Sequence, residues 1–482
     1  MRAPGKKRRR RAARTALHAR LAGHVALEAQ ANGDLIVSFG GYSLGLGKLS
    51  ADAATRAQEL RTGLPLAAFA GARPVDKEVD SLVRRLARRG LLEYGLRRAT
   101  DETDPVVIEP QVADYWPRFA PLADADVLAL SRFAFMRRRG TEMVLESPRA
   151  GALFRIGDPP VAAALASLAA PRSIRWLRRQ GGAAVELLAL LVDCDIIIKV
   201  AAGRSGLRPE EGDANLVLWD FHDLLFHARS TEGRHANPMG GLYSYAHVML
   251  PLPAVRPGWS GKTIDLRPFS DAPLPASPAA TLVRERHSTR SFDAARPIAL
   301  AELTRFLDLT ARVTATWQVD PDEVGGPPVT YARRPYPSAG ASYELELYLA
   351  VDTCEGLAKG FYHYDAGAHV LVPIEAHGPD VDALLTGAAF AMDAPAAPQI
   401  LITIAARFGR VSWKYSSLAY ALMLKDAGVL TQTLYLMAAD LGLGGCAIGS
   451  VNIDLFARMT GLDFHVEGPV GQFALGRPAA ET

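Results

Sequence analysis

The chain has 482 residues, about half of them hydrophobic, and a formal charge of +3, which is material for roughly two to four packed domains and too little net charge for the chain as a whole to bind a polyanion. Three cysteines, Cys194, Cys354 and Cys446, lie far apart, excluding a disulfide framework and a CxxC metal site and fitting a reducing compartment. The most apolar stretch, Val185 to Val200, carries Glu186, Asp193 and Asp195 and is too short and too charged to cross a membrane.

Charge is concentrated at the front, where Lys6, Lys7, Arg8, Arg9, Arg10, Arg11 and Arg14 form a basic arm. Residues 1–30 read as a solvated, disordered tail. No apolar signal-peptide core follows, since Thr15 to His24 includes His18 and Arg20, so the expected location is cytoplasmic. Residues 31–107 begin with two short apolar runs, Asp34 to Val37 and Tyr42 to Leu46. A helical stretch follows, then Val79, Leu82, Val83 and Leu86 at the i, i+3, i+4, i+7 spacing of an amphipathic helix, stopped at Gly90 before a short strand. Residues 108–250 repeat the pattern: Glu142 to Leu145 and Ala152 to Ile156, a helix from Val161 to Leu168, then Val185 to Val192 leading into Ile196 to Ile198. Strand pair, helices, then helix into strand is a winged-helix order, so tandem winged-helix-like modules are expected. Arg84, Arg85, Arg88 and Arg89 fit the wet face of a helix better than a DNA reader, because no groove-reading residues accompany them.

A joining segment holds Trp219, Asp220, His222, Asp223 and His227. Five residues on a helix turn two side chains about 140° apart, a poor arrangement for shared metal ligation, and no metal is expected. Residues 251–279 are rich in proline, as in Pro251 to Pro253 and Pro273 to Pro278, and read as an extended connector. The last domain, 280–482, follows.

That domain opens on Arg286, His287, Ser288, Thr289 and Arg290, cations and a hydroxyl suited to a phosphate. An irregular stretch from Gln318 to Pro337 has the makings of a loop over an active site. Pro337, Ser338, Ala339 and Gly340 lead into Glu344 to Val351, whose alternation reads as a strand. Lys414 and Tyr415 come after Ile402 to Ile404 and before a helix from Tyr420 to Ala439 with Leu424, Leu430, Leu434 and Met437 on its buried side. Gly442, Gly444 and Gly445 superficially suit a dinucleotide fingerprint, but the run follows a helix instead of a strand, and no acidic ribose ligand is evident downstream. Cys446 reads as a small packing residue.

Taken in this order, Arg286 to Arg290, Pro337 to Gly340, Lys414-Tyr415 and the run ending at Ile448, Gly449 and Ser450 resemble the flavin-binding frame of the nitroreductase superfamily. The adjacent Lys414-Tyr415 pair is similar to that of the FMN-dependent azoline dehydrogenases, which oxidise thiazolines or oxazolines in ribosomally made peptides to thiazoles or oxazoles. The resemblance covers residues from about 280 to the end with specific motif order, and the earlier half loosely. It implies an α+β flavin domain, homodimeric, with Arg286, His287, Ser288, Arg290 and Arg477 toward the FMN phosphate and ribityl chain. Pro337, Ser338 and Gly340 would reach the ring from the neighbouring subunit, and Gln432, Ile448, Gly449 and Ser450 would line it, with backbone near N5. Where the family motif usually has a first glycine this chain has Ala339. Lys414 and Tyr415, weak acids of pKa about 10 when solvated, are the implied proton acceptors beside hydride transfer to the flavin, each able to tune the other through desolvation and charge. The implied partners are a precursor peptide carrying azolines, held by the winged-helix-like modules, and the cyclodehydratase that makes them, with dioxygen as the final acceptor. A small-molecule nitroreductase and a non-catalytic peptide-binding scaffold remain as alternative readings.

Overall fold

The computed structural model describes residues 15–30, 34–39, 42–67, 73–98, 104–181, 183–200, 211–236, 239–258, 260–270, 277–320 and 327–480. It forms two compact units, 1–236 and 237–482. The basic cluster at Lys6 to Arg14 lies outside the described residues.

The first unit contains strands β1 (Thr15–Leu21), β2 (Val25–Ala29), β3 (Asp34–Phe39) and β4 (Tyr42–Lys48), helix α1 (Ala51–Ala57), β5 (Leu64–Pro65), α2 (Pro74–Ala87), β6 (Leu92–Arg98) and β7 (Val106–Pro110). It continues with β8 (Val127–Leu130), β9 (Phe135–Arg139), β10 (Glu142–Glu146), β11 (Ala152–Ile156), α3 (Pro159–Ala166), β12 (Arg172–Ser173), α4 (Ile174–Gln180), α5 (Val185–Asp193), β13 (Ile197–Lys199) and α6 (Phe221–Arg229). The expectation of a disordered arm over 1–30 fails from residue 15 onward. Leu17, Ala19 and Leu21 alternate inward, and β1 pairs along its whole length with β6. Two-residue periodicity with one face buried is what holds such a strand in register.

Within the first copy, α2 starts at Pro74 and buries Val79, Leu82, Val83 and Leu86. Gly90 follows at φ +64°, a left-handed stop that glycine adopts without cost. The expected division between modules at 107/108 does not exist as a gap. It falls inside β7, which pairs with β6 on one side and β11 on the other, so one antiparallel sheet runs β5-β1-β6-β7-β11-β10-β9 through both copies. Buried Glu93 on β6 joins them again, accepting Arg20 of β1 at 2.6 Å and Arg155 of β11 at 3.1 Å. A separate three-stranded sheet, β2-β3-β4, carries the first strand pair.

The joining segment is a packing element. His227 on α6 is fully buried with its ring stacked on Trp219, and Glu146 of β10 holds Arg229 of α6 at 3.1 Å.

In the second unit, residues 239–270 contain one short helix, α7 (Arg267–Ser270), and no strand among the described residues. The two units meet in sequence at 236/237, ahead of the expected connector start at 251. Then come α8 (Pro278–Glu285), α9 (Leu300–Thr310), β14 (Ala315–Val319), β15 (Val329–Arg333), β16 (Leu345–Val351), β17 (Gly360–Asp365), β18 (Val370–Ile374), α10 (Gly378–Met392), β19 (Ile400–Arg407), α11 (Phe408–Ser412), α12 (Ala419–Asp440), β20 (Gly444–Ile448), α13 (Ile453–Thr460) and β21 (Glu467–Gly476). The stretch expected to be irregular from Gln318 is in part an antiparallel ribbon of β14 and β15.

The main sheet is antiparallel in the order β18-β17-β16-β19-β21-β20. Its centre, β19, is buried from Ile400 through Ala406, as an apolar run covered on both faces must be. Leu401 and Ala405 pack with Leu384 and Leu385 of α10 and Phe456 of α13, in a cluster that also takes up Cys446. The helix expected to be buried from Tyr420 onward is α12, and it is buried on one side only. Ala421, Lys425, Gly428, Val429 and Gln432 lie exposed, a stripe at helical spacing.

Glycine on β20 is required by sterics, since a β-carbon at Gly445 would overlap the ring of Phe473, which is fully buried. Gly445→Ala should therefore destabilise the second unit by about 1–3 kcal/mol through overpacking, measured as a lower midpoint in thermal or urea unfolding.

Candidate active site

Strand β19 delivers the chain to α11, a single turn anchored by buried Phe408 and Val411. The backbone amides of Lys414 and Tyr415 both donate to Val411 O, at 3.0 and 2.9 Å, so the pair caps that turn. Trp413 and Lys414 are exposed and Tyr415 is half-buried. Lys414 Nζ lies 3.5 Å from both Gly340 O and Tyr331 Oη, and 5.3 Å from the centres of the Tyr331 and Tyr415 rings. Tyr331 stacks on Trp317 across the β14-β15 ribbon, with centroids 6.0 Å apart. Gly340 sits at φ +57°. A β-carbon there would collide with Tyr415 Oη and come within 2.8 Å of Lys414 Nζ. The backbone of the 338–340 loop thus touches the Lys-Tyr pair directly, and no side chain fits between them.

The loop is fixed from below. Ser338 Oγ donates to Asp426 Oδ2 of α12 at 2.8 Å, and Ala339 N donates to the same oxygen at 2.8 Å. Tyr343 N donates to Ser338 Oγ at 2.9 Å, and Ser338 Oγ lies 3.3 Å from Glu344 Oε2. The departure at Ala339 carries no backbone strain of its own, because the left-handed positions are Gly340, Ala341 at φ +56° and Tyr343 at φ +44°. Glu344 is completely buried, and burial pushes its carboxyl up to about 7, with Asp426 adding to the effect. Pro337 is exposed at the mouth of the loop. Sequence reasoning did not single out Glu344, Asp426, Tyr331 or Trp317. The available signal was an acid at a strand start and another inside an apolar helix, both costly unless paired.

A second group lies further along α12. Arg286 closes α8 and its guanidinium sits over the Tyr435 ring at 4.9 Å. Ser288 Oγ is 2.8 Å from Tyr435 Oη, which accepts from Ala447 N at 2.8 Å. Thr289 N donates to Gly445 O at 2.8 Å, and the Thr289 side chain fills the space that a β-carbon on Gly444 would need. His287 and Arg290 are exposed. Among the described residues neither Arg286 nor Arg290 has an ion-pair partner. Arg477 is engaged by Glu302, with Nη2 at 2.8 and 2.6 Å from the two carboxylate oxygens, and this holds Glu302 below the usual carboxylate range. Ile448 ends β20 buried, Gly449 follows exposed, Ser450 is half-buried, and Gln432 lies on the open face of α12. Asp426 and Tyr435 are nine residues apart on one helix, so the two groups sit about 14 Å apart along its axis.

The donor set fits a phosphorylated planar cofactor. Arg286 and Arg290 with the Ser288 hydroxyl are charge-assisted donors without a carboxylate to satisfy them, and Gly340 leaves bare backbone beside two polar side chains. An antiparallel α+β domain with such an anion-ready segment and a Lys-Tyr pair is an oxidoreductase domain of the flavin-binding kind.

The chain belongs to the nitroreductase family: residues 283–477 match that family, and a nitroreductase homologue of Methanocaldococcus jannaschii is 32% identical over 168 residues, 34% of this chain and 75% of that protein. Residues 128–236 match the cyanobactin oxidase ThcOx family. Among solved structures, the E. coli microcin synthetase McbBCD complex with truncated pro-MccB17 bound is similar at TM-score 0.40 and 20% identity, covering 58% of this chain and 100% of that one. A nitroreductase homologue from Ralstonia eutropha is similar at TM-score 0.32 and 23% identity, covering 43% and 89%.

Tyr435 ties the anion-ready segment to β20 with one hydroxyl. Tyr435→Phe should leave Ser288 Oγ and Ala447 N without that partner and lower the stability of the second unit by about 1–3 kcal/mol, read by chemical denaturation.

Proposed function

We propose that the protein is an FMN-dependent azoline dehydrogenase that converts peptide thiazolines or oxazolines to thiazoles or oxazoles. The observation that carries this reading is the Lys414-Tyr415 pair held against Gly340 by its own turn, with Lys414 Nζ 3.5 Å from Gly340 O. The match of residues 128–236 to the cyanobactin oxidase family supports a peptide as the substrate. Aromatising the ring removes a hydride and a proton, and FMN, when bound, supplies the hydride acceptor.

The chain's own residues supply the rest. Arg286, His287, Ser288 and Arg290 hold the phosphate, and Ser338, Gly340, Gln432, Ile448, Gly449 and Ser450 approach the ring. Arg477 acts indirectly: its guanidinium is on Glu302, and its carbonyl accepts from Asp293 N at 2.9 Å, steadying the strand end beside the phosphate segment. Lys414 Nζ or Tyr415 Oη takes the proton, the ammonium 5.3 Å from the centre of the Tyr415 ring and Lys414 open to the exposed surface from which a peptide arrives. The exposed stripe of α12, with Val429 on it and Leu418 just ahead of the helix, is the face that a second copy covers in a homodimer. Edge strands β4 and β9 are of the kind that accept an added strand from a precursor peptide. A cyclodehydratase supplies the azolines, and dioxygen restores the cofactor in the cytoplasm.

The test is the visible spectrum of the FMN-loaded protein mixed with a synthetic azoline peptide without oxygen. Wild type should bleach, and Lys414→Ala should bleach about 10²–10⁴-fold more slowly. A yellow wild-type protein that the peptide never bleaches would turn the reading to a small-molecule reductase. A colourless one that does not take up FMN would leave the scaffold.

Arg286→Ala combined with Arg290→Ala should weaken FMN binding by about 10–100-fold while leaving riboflavin affinity nearly unchanged. Equilibrium titration with the two flavins makes the comparison, because they differ only in the phosphate.

A further inference from the structure

Hydrogen-bond geometry beneath the 338–340 loop assigns protons that no other part of the site fixes. Ser338 has one hydroxyl proton and two lone pairs. Asp426 Oδ2 lies 2.8 Å away and Glu344 Oε2 3.3 Å away, while Tyr343 N donates to the hydroxyl at 2.9 Å. Asp426 Oδ2 also accepts from Ala339 N, so this oxygen collects two donors, as a carboxylate does. With the Ser338 proton on Asp426, the Ser338 oxygen keeps one lone pair free, and the atom facing it is Glu344 Oε2. Two acceptors cannot bond to each other, so a hydrogen bond across this 3.3 Å contact needs Glu344 as its donor. The other oxygen, Oε1, is buried without a hydrogen-bond partner among the described residues, which suits a neutral acid far better than an anion.

We propose that Glu344 and Asp426 form a proton-sharing carboxyl pair, Glu344 neutral and Asp426 ionised, that acts through Ser338 to position the loop beneath Lys414 and Tyr415. Both are positioning residues, since among the described residues no hydrogen bond or ion pair joins either to the Lys-Tyr pair. The link to that pair is steric and polar: Gly340 is two residues from Ser338, a β-carbon on it would strike Tyr415, and its carbonyl faces Lys414 Nζ.

The groups that face the pair come from three elements. Asp426 is on α12. Tyr336, buried with its hydroxyl unpartnered among the described residues, lies on the preceding loop with Arg334, and its hydroxyl is pushed up by burial while the Arg334 charge opposes. Arg410 of α11 donates to Ser342 O at 2.9 Å. Among the described residues no cation forms an ion pair with Glu344 or Asp426. Loss of the Glu344 proton would therefore leave two buried carboxylates and one serine proton between them, and the loop would lose a bond. Because burial raises the folded-state value above the unfolded one, the folded loop holds its proton more tightly. Its stability is highest at low pH and falls as pH rises from about 4.5 through about 7.

The proposal borrows from the functional reading only the importance of Lys414 and Tyr415, so its test needs no azoline. An infrared pH difference spectrum, 8.5 minus 6, on the full-length protein should show loss of a protonated carboxyl band with a midpoint near 7. That band should be absent from Glu344→Gln, whose amide still donates to Ser338, and retained in Asp426→Asn. In parallel, acetylation of Lys414 by acetic anhydride is followed by mass spectrometry. The ratio of its rate in wild type to that in Glu344→Gln should change at least twofold between pH 6 and 8.5. A band that survives Glu344→Gln, or a flat ratio, overturns the assignment. If both results appear but azoline peptides never reduce the flavin, the carboxyl pair stands and the dehydrogenase reading falls.

Discussion

The active region depends on one constraint, the burial of Asp426 on the inward face of α12. A carboxylate at that depth must be bonded, and the donors it takes are the hydroxyl and backbone amide of consecutive residues, Ser338 and Ala339. The 338–343 loop is therefore stitched to α12 at one point, and the turn bearing Lys414 and Tyr415 lies against the loop's far side. The same helix, nine residues on, presents Tyr435 to Ser288 and Ala447. A rigid helix buried along one face between loop and sheet sets the spacing of both groups, which loops alone would leave loose.

The glycines around β20 follow from close packing. Gly444 leaves room for Thr289, Gly445 for Phe473, and Gly476 at the end of β21 for Phe292. Their absent side chains let the segment after α8 lie along the sheet edge, where Thr289 N bonds to Gly445 O and Phe292 pairs with Pro478. This is why a glycine run after a helix is no dinucleotide loop here. Its purpose is contact between protein backbones.

Local patterns were legible where one element decides its own structure. The spacing of Val79, Leu82, Val83 and Leu86 gave α2, the alternation after Glu344 gave β16, and the order of the four motifs pointed to the flavin-type domain. What escaped was pairing between distant segments. β1 was hidden behind a basic run and by His18 and Arg20, although Leu17, Ala19 and Leu21 alternate; pairing with β6 along its length and with β5 at its centre makes it a strand. The β14-β15 ribbon needed two short runs to find each other across an irregular stretch. Glu344 and Asp426 show locally only as acids in apolar surroundings, and their connection comes from a serine that lies 88 residues from Asp426. For α12 the apolar pattern suggested a buried helix, and the described chain leaves one stripe open.

The sheet shared by the two segments of similar pattern in the first unit changes what those segments are. With β7 bonded to a strand of each copy and Glu93 gripping arginines from both, neither copy has a complete sheet without the other. A cut at residue 107 would fall inside β7, the strand between β6 and β11, and expose raw strand edges on both sides. The front of the molecule is thus one cooperative block. Two segments of similar pattern share a single sheet, and change in β6 or β11 is answerable to the strand that lies between them.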